Sequence, residues 1–248
     1  MIYLKEFSTE NDYAAYRDGK DYLKPNVSLC DDKGSVYYNF TPPIVYEAVD
    51  LGLPSGTLWA TMNVGARKPS DVGLYFQWGD TVGYRADQVG TGDGQKKFAS
   101  DWSDYKWRLS GNNDDNVAFT KYTTTGATLG LEDDAAHVHM GGDWHIPTPD
   151  QIQELIDNTT TAWTTSDESV SGMTFTSKKD TSKAIFIPAA GDALDGSLDS
   201  SGDYGHVWSS MLSTGNVYDG QGLHFVSGGA GLDYYYRNDG LSVRGVLG

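Results

Sequence analysis

Apolar residues recur at helical spacing in one clear stretch of this chain. Thr148-Pro149-Asp150-Gln151 sets a capping hydroxyl three residues before a glutamine, with proline at the first helical position. Ile152, Leu155 and Ile156 then form a buried stripe, and the helix should stop near Asn158. A second, shorter helix is predicted over 132–140, with acidic residues at its positive end and Gly141-Gly142 ending it. From Val45 onward the rest is glycine-rich, with short strand-like runs. Strands are predicted at 184–188, 207–210, 222–226 and 241–246, and Leu223, Phe225, Leu241 and Val243 alternate as framework. Segments 83–97 and 110–117 read as loops, and there is no internal repeat. The expected class is α+β, with few helices and several small antiparallel sheets.

The first forty residues read differently. Ser8 or Thr9 caps a predicted short helix through Asn11–Arg17, with Tyr13 and Tyr16 on one side and Gly19 as the stop. Two strand-like runs, Asn26–Cys30 and Val36–Asn39, flank the turn Asp31-Asp32-Lys33-Gly34, and Pro42-Pro43 marks a boundary. Residues 1–43 read as an attachment or oligomerisation segment, or equally as an extension packed on the main domain of residues 44–248.

Charge and cysteine content narrow the chemistry. A formal charge of −16 argues against nucleic acid, whose phosphates repel an acidic surface. Carboxylates of this kind can hold Ca²⁺, but plain solvation explains them and no cofactor is indicated. One cysteine, Cys30, allows neither an intramolecular disulfide nor a thiolate cluster. No apolar run is long enough to enter a bilayer as a helix, so no membrane insertion is expected. The opening MIYLKEFSTENDYAAY lacks the basic and apolar regions of a secretory signal. The expectation is a chain that stays in the cytoplasm or leaves by another route, such as assembly into a particle.

A series of short motifs then comes in a recognisable order. Val49-Asp50-Leu51-Gly52-Leu53-Pro54-Ser55-Gly56 leads to Leu58-Trp59-Ala60, Asn63-Val64-Gly65-Ala66 and Tyr75-Phe76-Gln77-Trp78-Gly79-Asp80. Asp133-Asp134-Ala135-Ala136, Gly141-Gly142-Asp143-Trp144-His145-Ile146-Pro147-Thr148, Ile185-Phe186-Ile187-Pro188-Ala189-Ala190-Gly191, Val207-Trp208-Ser209-Ser210 and Gly240-Leu241-Ser242-Val243-Arg244 follow. From about residue 45 to the end, the chain resembles the Fibrobacter major-paralogous (FISUMP-like) domain family, which implies a C-type-lectin-like, formylglycine-generating-enzyme-like fold. Residues 214–239, TGNVYDGQGLHFVSGGAGLDYYYRND, are similar to the variable region of proteins diversified by retroelements in Bacteroides-type phages and bacteria. The N-terminal stretch also resembles gut-phage structural proteins. Two departures stand out. Position 62 is Met where many secreted relatives carry cysteine, and Arg244-Gly245-Val246 replaces the usual Arg-Pro-Val.

The residue types argue for contact independently of that resemblance. Tyr, Asn, Ser, Gly and Asp give large contact area at low entropic cost together with adaptable polar groups. The run Asp233-Tyr234-Tyr235-Tyr236-Arg237-Asn238-Asp239 has this composition, with Arg237 adding a planar donor fork. Side chains alternate along a strand, so three adjacent tyrosines cannot all be core. Asn216, Tyr218, Asp219 and Gln221 are expected beside them across a hairpin. Of the tryptophans, Trp59, Trp78, Trp144 and Trp208 are assigned to the core, and Trp102 and Trp107 to packing.

Catalytic signals are weak. The oxidases of the related fold need paired cysteines, and neither a nucleophile elbow nor a phosphate loop is present. His137 and His139, two apart on a helix, diverge, and Asp133-Asp134 reads as a helix start rather than a carboxylate pair. An enzyme would need a cleft where a histidine and a carboxylate meet. The expectation is a non-catalytic, retroelement-diversified receptor-binding protein or tail adhesin on a phage particle. It would contact a host-surface protein or glycan, and residues 1–43 would bind other virion proteins or support a homo-oligomer. A fixed-sequence bacterial surface lectin or adhesin of the same fold is the alternative.

Overall fold

Thr148 and Gln151 cap each other as their spacing predicts. Gln151 N donates to Thr148 Oγ1 at 3.2 Å, Thr148 N donates to Gln151 Oε1 at 2.9 Å, and a helix runs Pro149–Asn158. The computed structural model describes residues 3–7, 25–30, 36–40, 44–109 and 117–248. Residues divide into two compact units, Met1–Val45 and Tyr46–Gly248. In the first, strands β1 (Tyr3–Phe7), β2 (Pro25–Cys30) and β3 (Val36–Phe40) form an antiparallel sheet ordered β1-β3-β2. The predicted helix at 11–17 and turn at 31–34 lie outside the described residues.

The second unit is α+β, with small, mostly antiparallel sheets and few helices. Strand β5 (Leu58–Ala60) pairs with β4 (Ala48–Asp50) on one side and with the last strand, β16 (Val246–Leu247), on the other. Helices α1 (Ala135–Met140) and α2 (Pro149–Asn158) follow, and β7 (Thr159–Thr165), β8 (Ser171–Ser177) and β9 (Ala184–Pro188) make a meander. A short hairpin, β10 (Asp192–Leu194) with β11 (Ser197–Asp199), precedes the main sheet. That sheet is ordered β14 (Gly229–Tyr236), β13 (Asp219–Val226), β12 (Gly205–Leu212), β15 (Leu241–Ser242) and β6 (Tyr75–Phe76).

Asp134 starts α1: its Oδ1 accepts from His137 N at 2.9 Å and its Oδ2 from Ile146 N at 2.8 Å. Burial lifts this carboxyl above its usual range, and those backbone N–H groups oppose the lift. The predicted 132–140 helix is therefore a 3₁₀ turn at Leu131–Asp133 and a six-residue α-helix separated by the capping aspartate.

Two large apolar clusters and a smaller one around Tyr75, Phe98 and Ala193 fill the unit. Ile152 and Leu155 of α2 pack with Leu51, Trp59, Phe175, Ile187, Val207, Leu223 and Phe225. Trp78, Trp102, Tyr105, Trp107, Phe119 and Trp208 form the second, aromatic cluster. Gly205 makes room for this packing, since a Cβ there would lie 1.8 Å from the Phe225 ring. Trp102 and Trp107 are thus packed, as expected. Trp144 is only half buried, which corrects its assignment to the core.

The predicted strand at 241–246 is broken, because its middle serves other partners. Val243 O accepts from Val64 N, and Gly245 O from Ala60 N. Fully buried Arg244 donates from Nε to Asn63 Oδ1 at 2.9 Å, from Nη1 to Ala60 O at 2.8 Å and from Nη2 to Phe186 O at 2.9 Å.

Candidate functional site: the aromatic end of the β13–β14 hairpin

Strands β13 and β14 pair with Asp219 opposite Tyr236, Gly220 opposite Tyr235 and Gln221 opposite Tyr234. Residues 219–221 and 234–236 therefore lie side by side across a hairpin, as the sequence suggested. The pleat separates the tyrosines. Tyr234 and Tyr236 share one face and are 52% and 59% exposed, whereas Tyr235 turns to the other and is half buried. There its ring meets Trp208 at 6.0 Å and His206 at 4.7 Å between centroids. Gly220 leaves space on this side: a Cβ would fall 2.7 Å from Trp78 and 2.8 Å from Trp208.

Tyr218 reaches the surface from the loop before β13. Asn216 shapes that loop, its Oδ1 accepting from Tyr218 N at 2.8 Å and Asp219 N at 3.0 Å while its Nδ2 donates to Asp219 Oδ2 at 2.7 Å. Rings of Tyr218 and Tyr236 both stand edge-on to buried Trp102, at 6.3 and 5.9 Å, and Tyr218 also meets Phe119 at 5.8 Å. The result is an aromatic shelf, rigid beneath and partly solvated above, with Asp233 exposed on the same strand.

Four expected contact residues are not at the surface. Gln221, Arg237, Asn238 and Asp239 are buried, and the side chains of the first three are bonded inside the protein. Gln221 Nε2 donates to Leu212 O at 3.0 Å. Asn238 Nδ2 donates to Ala99 O at 2.7 Å. The Arg237 guanidinium sits 4.0 Å from the centre of the Phe119 ring. Its Nε donates to Tyr105 Oη at 2.8 Å, Nη1 to Tyr122 O and Val217 O at 3.1 Å each, and Nη2 to Lys121 O at 3.2 Å. With Nε, Nη1 and Nη2 all bonded inside the protein and the side chain fully buried, the donor fork serves the fold rather than a ligand. Asp239 has one carboxylate oxygen without a partner, and burial together with the nearby Asp192 carboxylate pushes its pKa up to about 7.

Sequence reasoning missed the support under the shelf, because Trp102 and Phe119 lie more than a hundred residues before Tyr236 and only the fold brings them together. It also missed His206 and His224, which pair directly across β12 and β13. His206 Nδ1 lies 3.4 Å from Asp192 Oδ1, so a histidine and a carboxylate do meet. His224 Nδ1 lies 3.1 Å from Tyr235 Oη, so the oxygens beside the two imidazoles are those of an aspartate and a tyrosine. His137 and His139 diverge to the carbonyls of Trp144 and Thr81. Among the described residues no helix is long and apolar enough to cross a membrane. No family model matches the chain, and no curated protein or solved structure matches it.

Proposed function

We propose that this protein is a non-catalytic binding protein whose recognition surface is the shelf of Tyr218, Tyr234 and Tyr236, edged by Asn216 and Asp219. In this reading the second unit is a C-type-lectin-like scaffold of the Fibrobacter major-paralogous kind, diversified by a retroelement, and the protein is a receptor-binding or tail adhesin of a phage particle. Its partner is a host-surface protein or glycan, and residues 1–43 provide attachment to the particle. One observation carries the binding assignment: exposed tyrosines stand on a backbone whose next residues, Arg237 and Asn238, are anchored in the core. Contact residues can then change at little cost to the fold. The pairing of β16 beside β5, the small sheets and the few helices support the lectin-like reading.

The test replaces Tyr218, Tyr234 and Tyr236 together by Ser. Retention on arrays of bacterial surface glycans and on Bacteroides-type cells is expected to disappear. Surface substitutions shift stability by about 0.5 kcal/mol each, so the melting temperature should fall by less than about 6 °C. Loss of the folded state, or undiminished retention, refutes the assignment. An imperfect copy of the gene's 3′ end, differing at adenines and lying beside a reverse transcriptase, separates a diversified protein from a fixed-sequence adhesin.

A further inference from the structure

The two edges of the main sheet are finished differently. At one, β6 is two residues long, and Tyr75 and Tyr84 exchange backbone hydrogen bonds of 2.8 and 3.0 Å on its outer side. At the other, β14 runs eight residues, and no described strand pairs with its outer side. Consecutive residues of an antiparallel strand direct their N–H and C=O to opposite sides. Arg237 N donates to Tyr218 O, towards β13, whereas Tyr234 N donates to Asp233 Oδ1 and stays out of the ladder. Odd-numbered residues thus serve the ladder, and Ala230, Leu232, Tyr234 and Tyr236 turn their backbone groups to the open side. We propose that the partner of the tyrosine shelf is a polypeptide that lays an extended, basic segment along this edge as a further strand.

The free row is well defined. The N–H and C=O of Ala230 and Leu232 and the C=O of Tyr234 have no hydrogen-bond partner among the described residues. Tyr236 O accepts from Asp239 N at 2.9 Å, so the row stops beside the shelf. Unpaired groups that recur at every second residue, about 6.7 Å apart, match the repeat of an extended polypeptide. A glycan carries its hydroxyls without that register. Nothing guards the edge either: β14 has neither proline nor lysine, and it pairs with β13 without a bulge. A Cβ at Gly231 would meet no atom within 4 Å, so the backbone is open there. The exposed rings of Tyr234 and Tyr236, two residues apart, are spaced to contact alternate side chains of an added strand.

Charge selects the occupant. The chain carries a formal charge of −16, and Asp233 is the one charged residue of β14. Among the described residues it pairs with no lysine or arginine. A second copy of the chain would bring the same negative field to the edge. A segment with lysine or arginine opposite Asp233 neutralises it. This inference rests on the shelf reading and narrows its partner to a polypeptide. The tyrosines supply contact area, and the main-chain bonds supply affinity that does not depend on which side chains β14 carries.

The full chain is to be panned against a displayed library of random linear peptides about twelve residues long, and the enriched peptides measured by calorimetry at low and high salt. They are expected to carry lysine or arginine and to bind more weakly at high salt. Methylating their backbone nitrogens one at a time should weaken binding about tenfold or more at every second position, and less than about threefold between. Leu232→Pro removes an outward N–H, spares the ladder donors and should cost about tenfold or more. Asp233→Lys should shift selection to acidic peptides. The methylation series is read on the parent chain, so it decides the matter whether or not the proline variant folds. No enriched peptide, a methylation effect without alternation, or parental affinity in folded Leu232→Pro overturns strand addition. So does dimerisation of the parent chain that Leu232→Pro abolishes, which puts a second copy on the edge. Glycan retention lost with the tyrosines but kept in Leu232→Pro overturns strand addition alone and leaves the shelf assignment standing. Peptide affinity untouched by the triple tyrosine substitution refutes the shelf assignment, and this inference with it.

Discussion

Replacing Asp239 by Asn isolates the consequence of burying a carboxylate among other carboxylates. The side chain keeps its size and one carbonyl-type oxygen but can no longer ionise. In the folded protein the group titrates at about 7, against 3.8 for an unperturbed aspartate. The folded state therefore holds this proton more tightly than the unfolded chain does. Stability is unaffected below about pH 4, falls as pH rises through the window from 4 to 7, and stays reduced above it. A shift of about 3 units at 1.36 kcal/mol each gives at most about 4 kcal/mol. Relaxation and water entry bring the expected cost at pH 8 to about 2–4 kcal/mol. Asp239→Asn should consequently exceed the parent by only about 1 kcal/mol at pH 4.5 and by the full cost of about 2–4 kcal/mol at pH 8, roughly 4–16 °C in melting temperature. Circular-dichroism melts at pH 4.5, 6, 7 and 8, in chelator so that no cation compensates the charge, measure the difference. A gap independent of pH, or a variant less stable than its parent at pH 8, refutes the reasoning.

Two further substitutions probe the scaffold. Gly205→Ala places a methyl group against the Phe225 ring and should cost about 3 kcal/mol or more in urea unfolding, with partial rescue by Phe225→Leu in the same chain. Arg237→Met keeps most of the volume but removes the donors to Tyr105, Lys121, Tyr122 and Val217. A loss of about 3–5 kcal/mol in the same assay is expected, and a loss below 1 kcal/mol would show that those carbonyls find other partners.

Legibility followed the range of the interactions involved. The α2 start was readable because Thr148 and Gln151 satisfy each other within one turn. The alternation of Leu223 and Phe225 marked a strand because the pleat is a local rule. The strand at Tyr3–Phe7 escaped notice, its residues Tyr3-Leu4-Lys5-Glu6-Phe7 showing no strict alternation. Arg237 was misplaced because charge normally keeps a side chain in water. What reverses that here is a cage built from Tyr105, Phe119, Lys121 and Tyr122, far away in the chain. Tyr235 posed the same problem in milder form. Its neighbours Tyr234 and Tyr236 are identical in type, and only the register of β13 against β14 decides which ring turns inward.

The buried guanidinium of Arg237 grips main-chain carbonyls at Lys121, Tyr122 and Val217, and its own backbone N–H bonds Tyr218 O. Every residue type offers the same carbonyl, so this clasp is blind to the side chain carried at position 218. Like a printing forme that locks the rail and not the letters, it lets the displayed text be reset while the frame stays in register.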